Sequence, residues 1–122
     1  MDGIKKVVLA VDDMPEILSS INAALSENYD VRCAADAKSA FSALESIKPN
    51  VIMLDIEMPE MSGLEILEKL QKDARYKDIP VVFLTANSEE STAQKAIKNG
   101  ALGYIIKPFT PESLLKSIDF FS

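Results

Sequence analysis

Three aspartates stand directly after apolar runs, at the points where buried strands would end. Asp12 and Asp13 follow Val7–Val11, and Asp55 follows Val51–Leu54. Alone, the Asp12–Asp13 pair is equally typical of a solvated loop in which one acid caps a helix. An ionised carboxylate at the end of a buried strand is costly, however, unless it is paired or binds a metal ion. Three converging carboxylates would also repel one another, and a hard divalent cation such as Mg²⁺ would relieve that repulsion.

A hydroxyl and an ammonium follow two further apolar runs. Thr85 ends the run Val81–Leu84, and Lys107 follows Tyr104–Ile106 and precedes Pro108. Each is weak evidence alone, because threonine is common in strands and most lysines lie on the surface. Together with the three acids they form a set suited to a phosphoryl group. In such a site a metal ion and the ammonium neutralise the phosphoryl oxygens, and the hydroxyl donates a hydrogen bond.

The composition excludes several other chemistries. The 122 residues include no histidine and one cysteine, Cys33. Ser-His-Asp and Cys-His catalysis, histidine-ligated zinc and an internal disulfide are therefore excluded. The four glycines form neither a P-loop nor the GxGxxG pattern, so the sequence holds no obvious nucleotide-binding loop. Cys33 is most simply interpreted as a small apolar strand residue.

The charge balance argues against two classes of partner. With 13 basic and 19 acidic residues the net charge is −6, which opposes binding to nucleic-acid backbones and anionic membranes. No apolar stretch approaches the ~20 residues of a membrane span, and no signal-peptide cleavage pattern follows the basic N-terminal residues. We therefore expect a cytoplasmic protein that binds neither nucleic acid nor membrane directly.

The elements that would position the chemical residues alternate along the chain. Short runs rich in Val and Ile predict five strands, which are Val7–Val11, Tyr29–Ala34, Val51–Leu54, Val81–Leu84 and Tyr104–Ile106. The second run alternates and predicts an edge strand, whereas the other four are continuous, as in strands covered on both faces. Apolar residues at helical spacing predict a helix after each strand; they include Leu18, Ile21 and Leu25, then Ala40, Phe41, Leu44 and Ile47, then Leu64, Leu67 and Leu70, then Ala93, Ala96 and Ile97, and finally Leu114, Leu115 and Ile118.

This alternation predicts an α/β fold with a doubly wound parallel sheet and helices on both faces. Pro15 lies early in the first helix, Gly100 is placed to end the fourth, and Thr110–Pro111 would cap the last. No linker or repeat divides the chain, so we expect one domain over residues 1–122. Sites in such sheets form at the carboxyl ends of the strands, where the acids, Thr85 and Lys107 should converge.

Four sequence blocks occur in order and at the spacing of a whole domain. They are Val8–Asp13, Met53–Pro59 with Ser62–Gly63, Pro80–Ala86, and Gly100–Ala101 with Gly103–Phe109. With them the chain resembles, over essentially its whole length, the receiver domain of two-component response regulators, including chemotaxis regulators. The resemblance implies a flavodoxin-like fold whose five-stranded sheet has the order 2-1-3-4-5. It also implies a phosphoacceptor signalling domain rather than an enzyme.

The resemblance assigns roles to the acids. Asp55 matches the phosphoacceptor, whose carboxylate attacks a phosphohistidine of a sensor histidine kinase or a histidine phosphotransfer protein. Asp13 and the backbone carbonyl of Glu57 match ligands of Mg²⁺, with Asp55 as the third ligand. Asp12 matches the acid that acts on the metal mostly through water.

The resemblance also implies a switch. Thr85 matches the switch hydroxyl, and Lys107 matches the ammonium that binds the phosphoryl group. Tyr104 matches an aromatic residue that swings inward when Thr85 moves, and the bond before Pro108 is typically cis in such proteins. Phosphorylation would then change the surface of the fourth helix, fifth strand and fifth helix, which a downstream target protein or output domain would recognise.

Positions around the acceptor are expected to tune it. Glu57 and Asn87 lie two residues after Asp55 and Thr85 respectively, so both should overhang the site. Ala86 is small and should leave the phosphoryl group accessible to water and to a partner. Ile17 and Pro108 flank the acidic pocket and are candidates for contact with the kinase.

Two other classes of function remain open. One is a phosphatase or phosphotransferase of related topology that uses an aspartyl nucleophile, although the sequence shows no insertion that would form a cap over a substrate. The other is a flavodoxin-like binding protein or an interaction module that is not phosphorylated. Multiple turnovers of a small phosphomonoester would favour the first, and failure of Asp55 to accept a phosphoryl group would favour the second.

Overall fold

Five short parallel strands form one sheet in the order β2-β1-β3-β4-β5. The computed structural model describes residues 5–86, 94 and 97–122. The strands are β1 Val7–Val11, β2 Asp30–Ala34, β3 Val51–Asp55, β4 Val81–Thr85 and β5 Gly103–Ile106. The predicted parallel sheet and the order implied by the resemblance are both confirmed.

Helices cover both faces of the sheet. The described residues contain four that are complete: α1 Pro15–Leu25, α2 Ala37–Leu44, α3 Gly63–Gln71 and α4 Pro111–Phe121, which is the fifth helix predicted from the sequence. Ala93 and Ala96 of the predicted fourth helix lie outside the described residues, whereas Ile97 and Lys98 are helical. Gly100 follows them with a φ of 107° and donates its N–H to the Ile97 carbonyl, so it ends this segment as predicted.

Local capping explains where several helices begin. Ser62 and Glu65 form a reciprocal capping box at the start of α3, and Asp36 accepts the Ser39 N–H at the start of α2. Thr110 caps α4 with Pro111 in its first turn, which confirms the predicted pair. These caps satisfy N–H groups that have no partner inside the helix.

Two apolar clusters hold the layers together. The cluster under α2 and α3 includes Leu9, Val11, Ile52, Leu54, Ile66, Leu67 and Phe83. The cluster under α1 and α4 includes Val8, Ala10, Ile21, Leu25, Met53, Val82, Leu84, Leu114 and Ile118. All residues of β3 and β4 are buried because both faces of these strands are covered. Strand β2 lies at the edge of the sheet, as predicted. It exposes both Arg32 and Cys33, whereas strict alternation would place Cys33 on the opposite face from Arg32.

A polar contact ties the end of α4 to the segment before β2. The Tyr29 hydroxyl donates a hydrogen bond to the Asp119 carboxylate and lies 3.1 Å from Ser122 Oγ. Because the ring of Tyr29 is buried in the α1 and α4 cluster, this contact connects the core to the surface. Among the described residues there is no helix with the length and apolar character needed to cross a bilayer.

Candidate functional site

The ends of four strands bring the predicted residues together. Asp12 directly follows β1, Asp55 and Thr85 are the last residues of β3 and β4, and Lys107 directly follows β5. The register of the sheet places these ends side by side, since Asp55 pairs with Leu84 and Thr85 pairs with Ile106. The carboxyl edge of the sheet therefore carries two acids, a hydroxyl and an ammonium, as the sequence predicts.

Asp12 is fully buried, and its two oxygens have different environments. Oδ1 accepts the backbone N–H of Met14 at 2.9 Å, which fixes the carboxylate at the turn into α1. Lys107 Nζ forms an ion pair with Oδ2 at 2.8 Å. Apart from Lys107, no group in the described part of the chain donates a hydrogen bond to Oδ2. A buried oxygen of this kind can bind a cation or a water molecule.

Lys107 bridges the two buried carboxylates. Its Nζ lies 2.8 Å from Asp12 Oδ2 and 3.3 Å from Asp55 Oδ1, and its side chain is largely buried. Burial acts to lower the pKa of Lys107, but hydrogen bonding and attraction from Asp12 and Asp55 outweigh it, and the pKa is raised. The ammonium therefore remains charged at neutral pH.

Asp55 is 3% exposed and is held at one oxygen. Its Oδ1 accepts the backbone N–H of Glu57 at 3.3 Å and faces Lys107. Burial, and then repulsion from Asp12, raise the pKa of Asp55 to about 6, against the opposing effects of Lys107 and the Glu57 N–H. The surplus of negative charge at this edge is therefore only partly neutralised by Lys107.

The donor set fits a divalent cation. Carboxylate oxygens of Asp12, Asp13 and Asp55 lie within 4.8 Å of one another, and Asp13 is the most exposed of the three. Among the described residues, these three carboxylates lie near one ammonium, that of Lys107, so negative charge is in excess. A hard divalent cation, which prefers oxygen ligands, would neutralise this negative charge. The predicted acidic cluster could therefore bind a metal ion.

The residues predicted to tune the site differ in exposure where the structure describes them. Glu57 and Ala86 are exposed, whereas Thr85 is buried. Asn87 lies outside the described residues. Tyr104 is 41% exposed on β5, so its ring is not packed into the core in this structure.

Pro108 and Ile17 are the two remaining positions that the sequence singled out near the site. The Lys107–Pro108 bond is cis, as the resemblance implies. Ile17 is half-buried and packs against the cluster under α1 and α4, which leaves only part of its side chain for contact with a partner.

Two residues that sequence reasoning did not assign to the site help to build it. The Met14 N–H holds Asp12 in place. Gly63 lies so close to β3 that a Cβ atom there would be 2.3 Å from the Asp55 carbonyl oxygen. Aspartate side chains commonly accept the backbone N–H two residues further on, which is a local signal for the first contact, whereas nothing local in the sequence reveals the approach of Gly63 to Asp55.

Comparison with known proteins agrees with this geometry. A family model described as the response regulator receiver domain matches residues 8–119. The chain belongs to this family. The receiver domain is 32% identical to the chemotaxis protein CheY4 of Vibrio cholerae, whose solved structure superposes with a TM-score of 0.92 and covers 98% of this chain and 100% of that one.

Longer proteins contain a segment similar to this receiver domain. The response regulator Rre1 of Synechocystis is 37% identical over 109 residues, which are 88% of this chain and 47% of that protein. The hybrid signal transduction histidine kinase D of Dictyostelium discoideum is 37% identical over 114 residues, 93% of this chain and 7% of that protein. The chain thus spans less than half the length of both relatives.

Proposed function

We propose that Asp55 accepts a phosphoryl group from a phosphohistidine on a sensor histidine kinase or a histidine phosphotransfer protein. The observation that supports this most directly is the buried Asp55 carboxylate, which lies 3.3 Å from Lys107 Nζ at the end of β3. Its Oδ1 is engaged by Lys107 and the Glu57 N–H, whereas Oδ2 accepts no hydrogen bond from the described residues. We therefore assign Oδ2 as the attacking oxygen.

The proposed transfer is a displacement at phosphorus. A new bond forms between the Asp55 oxygen and phosphorus, and the bond between phosphorus and the partner's imidazole nitrogen breaks. The electron pair stays on the imidazole, which takes a proton from solvent. Lys107 supplies a positive charge beside the developing charge on the phosphoryl oxygens. The product is an aspartyl phosphate, and the histidine comes from the partner because this chain has none.

We infer that Mg²⁺ is the cation of the acidic cluster. Asp13, Asp55 and the Glu57 carbonyl would hold it, and Asp12 would act through water; when bound, the ion neutralises negative charge on the phosphoryl oxygens. The close approach of the Asp12, Asp13 and Asp55 carboxylate oxygens supports this assignment. We also infer that the exposed Glu57 disfavours the approach of a further anion, which would affect how long the phosphoryl group persists.

The proposed consequence of phosphorylation is a change of surface. A phosphoryl group adds a charge of about −1.5 to −2 at Asp55, which draws Lys107 and the Thr85 hydroxyl towards it. Tyr104, now 41% exposed, would turn into the space that Thr85 leaves. Leu102, just before β5, and Ile106 are also exposed on either side of Tyr104, so this segment already presents apolar side chains that a target protein or output domain could contact. We propose that this exchange occurs in the cytoplasm, without direct contact with nucleic acid or membrane.

Labelling with a small phosphodonor tests the proposal. The chain is incubated with acetyl phosphate and Mg²⁺, and intact mass and peptide mapping locate the added group, with Asp55→Asn as the matched control. We expect one phosphoryl group on Asp55, which should not form when EDTA is present from the start and should be absent from the variant. If a known receiver domain is labelled under the same conditions and this chain is not, the proposal is wrong. Repeated turnover of a phosphomonoester without a stable aspartyl phosphate would instead indicate a phosphatase.

A further inference from the structure

The loop between β3 and α3 forms a closed ring next to the phosphoacceptor. It leaves β3 after Asp55 and returns at Gly63, whose N–H donates to the Ile56 carbonyl at 2.9 Å. The return is so close that a Cβ on Gly63 would lie 2.3 Å from the Asp55 carbonyl oxygen. Both ends of the ring are therefore fixed beside Asp55, and residues 57–62 have little freedom to shift independently of it.

The tip of this ring is strained at Glu60. This residue has a φ of 68° and is the one non-glycine residue with a positive φ among the described residues. The Met61 N–H donates to the Pro59 carbonyl at 2.7 Å, which makes Glu60 the centre of a γ-turn of the rarer, more strained kind. A non-glycine residue in the left-handed region lowers the folding equilibrium constant by roughly 5- to 30-fold relative to an unstrained residue.

Nothing about the Glu60 side chain compensates for this strain. It is exposed, and within the described part of the chain its carboxylate makes no hydrogen bond or ion pair. On either side of it, Met58 and Met61 are partly buried against the cluster under α2 and α3, and Pro59 has a fixed φ. Because its neighbours are anchored, the turn can relax only if the ring as a whole changes conformation.

The ring also carries the groups that hold the site. The Glu57 N–H donates to Asp55 Oδ1 at 3.3 Å, and the Glu57 carbonyl is the backbone ligand in the proposed metal site. A conformation of the ring that relieves Glu60 would move Glu57 and weaken both interactions. A ligand that needs the strained conformation binds with an apparent dissociation constant divided by the fraction of chains that adopt it.

We propose that Glu60 is a positioning residue whose strained turn lowers the population of the ring conformation that holds Asp55 and Mg²⁺. This inference rests on the proposed metal site. It assigns Glu60 an indirect role, because its side chain contacts neither Asp55 nor the other acids. Replacement by a residue that tolerates a positive φ should therefore strengthen the site rather than damage it.

The test separates backbone strain from charge. Glu60→Gly removes the strain and the carboxylate, whereas the control Glu60→Gln removes only the charge; Glu60→Asn is a second variant that tolerates positive φ without the freedom of glycine in the unfolded chain. The unfolding equilibrium constant in EDTA and the Mg²⁺ dissociation constant are measured for each, by urea denaturation and by calorimetric titration.

The unfolding equilibrium constants of Glu60→Gly and Glu60→Asn should be smaller than that of Glu60→Gln by about threefold or more. They should also bind Mg²⁺ at least about twofold more tightly. Equal Mg²⁺ affinity in all variants would overturn the positioning role, and equal unfolding constants would show that the turn is not strained. If the wild-type chain binds no Mg²⁺ at all, the proposed metal site itself is wrong, and the role of Glu60 fails with it.

Discussion

Replacement of Asp55 by asparagine is expected to stabilise the receiver domain when no divalent cation is present, and to do so increasingly as the pH rises. Burial and repulsion from Asp12 raise the pKa of Asp55 from 3.8 to about 6. The folded chain therefore binds a proton at Asp55 more tightly than the unfolded chain does. The stability that this group contributes is greatest below pH 3.8 and is lost as the pH rises through about 6.

The size of the effect follows from the two pKa values. Ionisation of Asp55 lowers the free energy of unfolding by about 1.6 kcal/mol near pH 5 and by about 3 kcal/mol near pH 7.5. Asparagine has a similar shape, can accept the Glu57 N–H and carries no charge, so it avoids this cost. Loss of the contact with Lys107 offsets part of the gain by an amount that changes little over this range, because Lys107 stays charged. The advantage of the variant should thus grow by about 1.4 kcal/mol between about pH 5 and pH 7.5.

Urea denaturation followed by circular dichroism measures this difference. Both proteins are unfolded in EDTA at several pH values from about 5 upwards, since the sequence pI of about 4.6 makes lower values prone to aggregation. Asp78→Asn, at an exposed position, controls for the change in net charge. A difference that stays constant or shrinks as the pH rises would refute the reasoning. Added Mg²⁺ at ten times its dissociation constant should stabilise the wild type by about 1.4 kcal/mol and the variant by less.

Three further substitutions test other parts of the structure. Gly63→Ala should lower the free energy of unfolding by about 1–3 kcal/mol and weaken Mg²⁺ binding, because the added Cβ would meet the Asp55 carbonyl at 2.3 Å; urea denaturation and calorimetry check both effects. Tyr29→Phe should lower the free energy of unfolding by about 1–2 kcal/mol, because the hydrogen bond to Asp119 is lost. If the same substitution costs as much in a variant that already lacks the Asp119 carboxylate, this explanation is wrong. Glu57→Ala should alter the half-life of the phosphoryl group on Asp55, measured by loss of label; an unchanged half-life would show that the Glu57 charge does not act there.

The strands and most site residues were predictable from the sequence, because hydrophobic patterns mark the strands and polar residues follow them directly. Continuous apolar runs identified β3 and β4 as strands covered on both faces, and the alternation in β2 identified an edge strand. The same reading was wrong for β5, which is the other edge strand and exposes Tyr104 and Ile106. The order of the strands came from the resemblance, because hydrophobic periodicity does not determine which strands are neighbours. The residue types at the strand ends identified Asp12, Asp55, Thr85 and Lys107 together, since parallel strands end at one edge.

Contacts that depend on tertiary approach were not predictable in the same way. The distance between Gly63 and the Asp55 carbonyl depends on how α3 docks against β3. The positive φ of Glu60 runs against the preference of glutamate, so a sequence pattern gives no signal for it. The contact of Tyr29 with Asp119 joins residues 90 positions apart, which periodicity does not detect.

The cost of ionising Asp55 connects the stability of the domain to its chemistry. A carboxylate that is buried beside another acid disfavours the folded chain, and a group that supplies positive charge to this edge lowers that cost. Lys107 does so in part, and the pKa of Asp55 is still raised to about 6. The remaining imbalance favours binding of a cation, and it opposes ionisation of Asp55, although a pKa of about 6 still leaves most of this carboxyl ionised near neutral pH. The free domain is therefore expected to be less stable than an asparagine variant for the same reason that this edge of the sheet favours a cation.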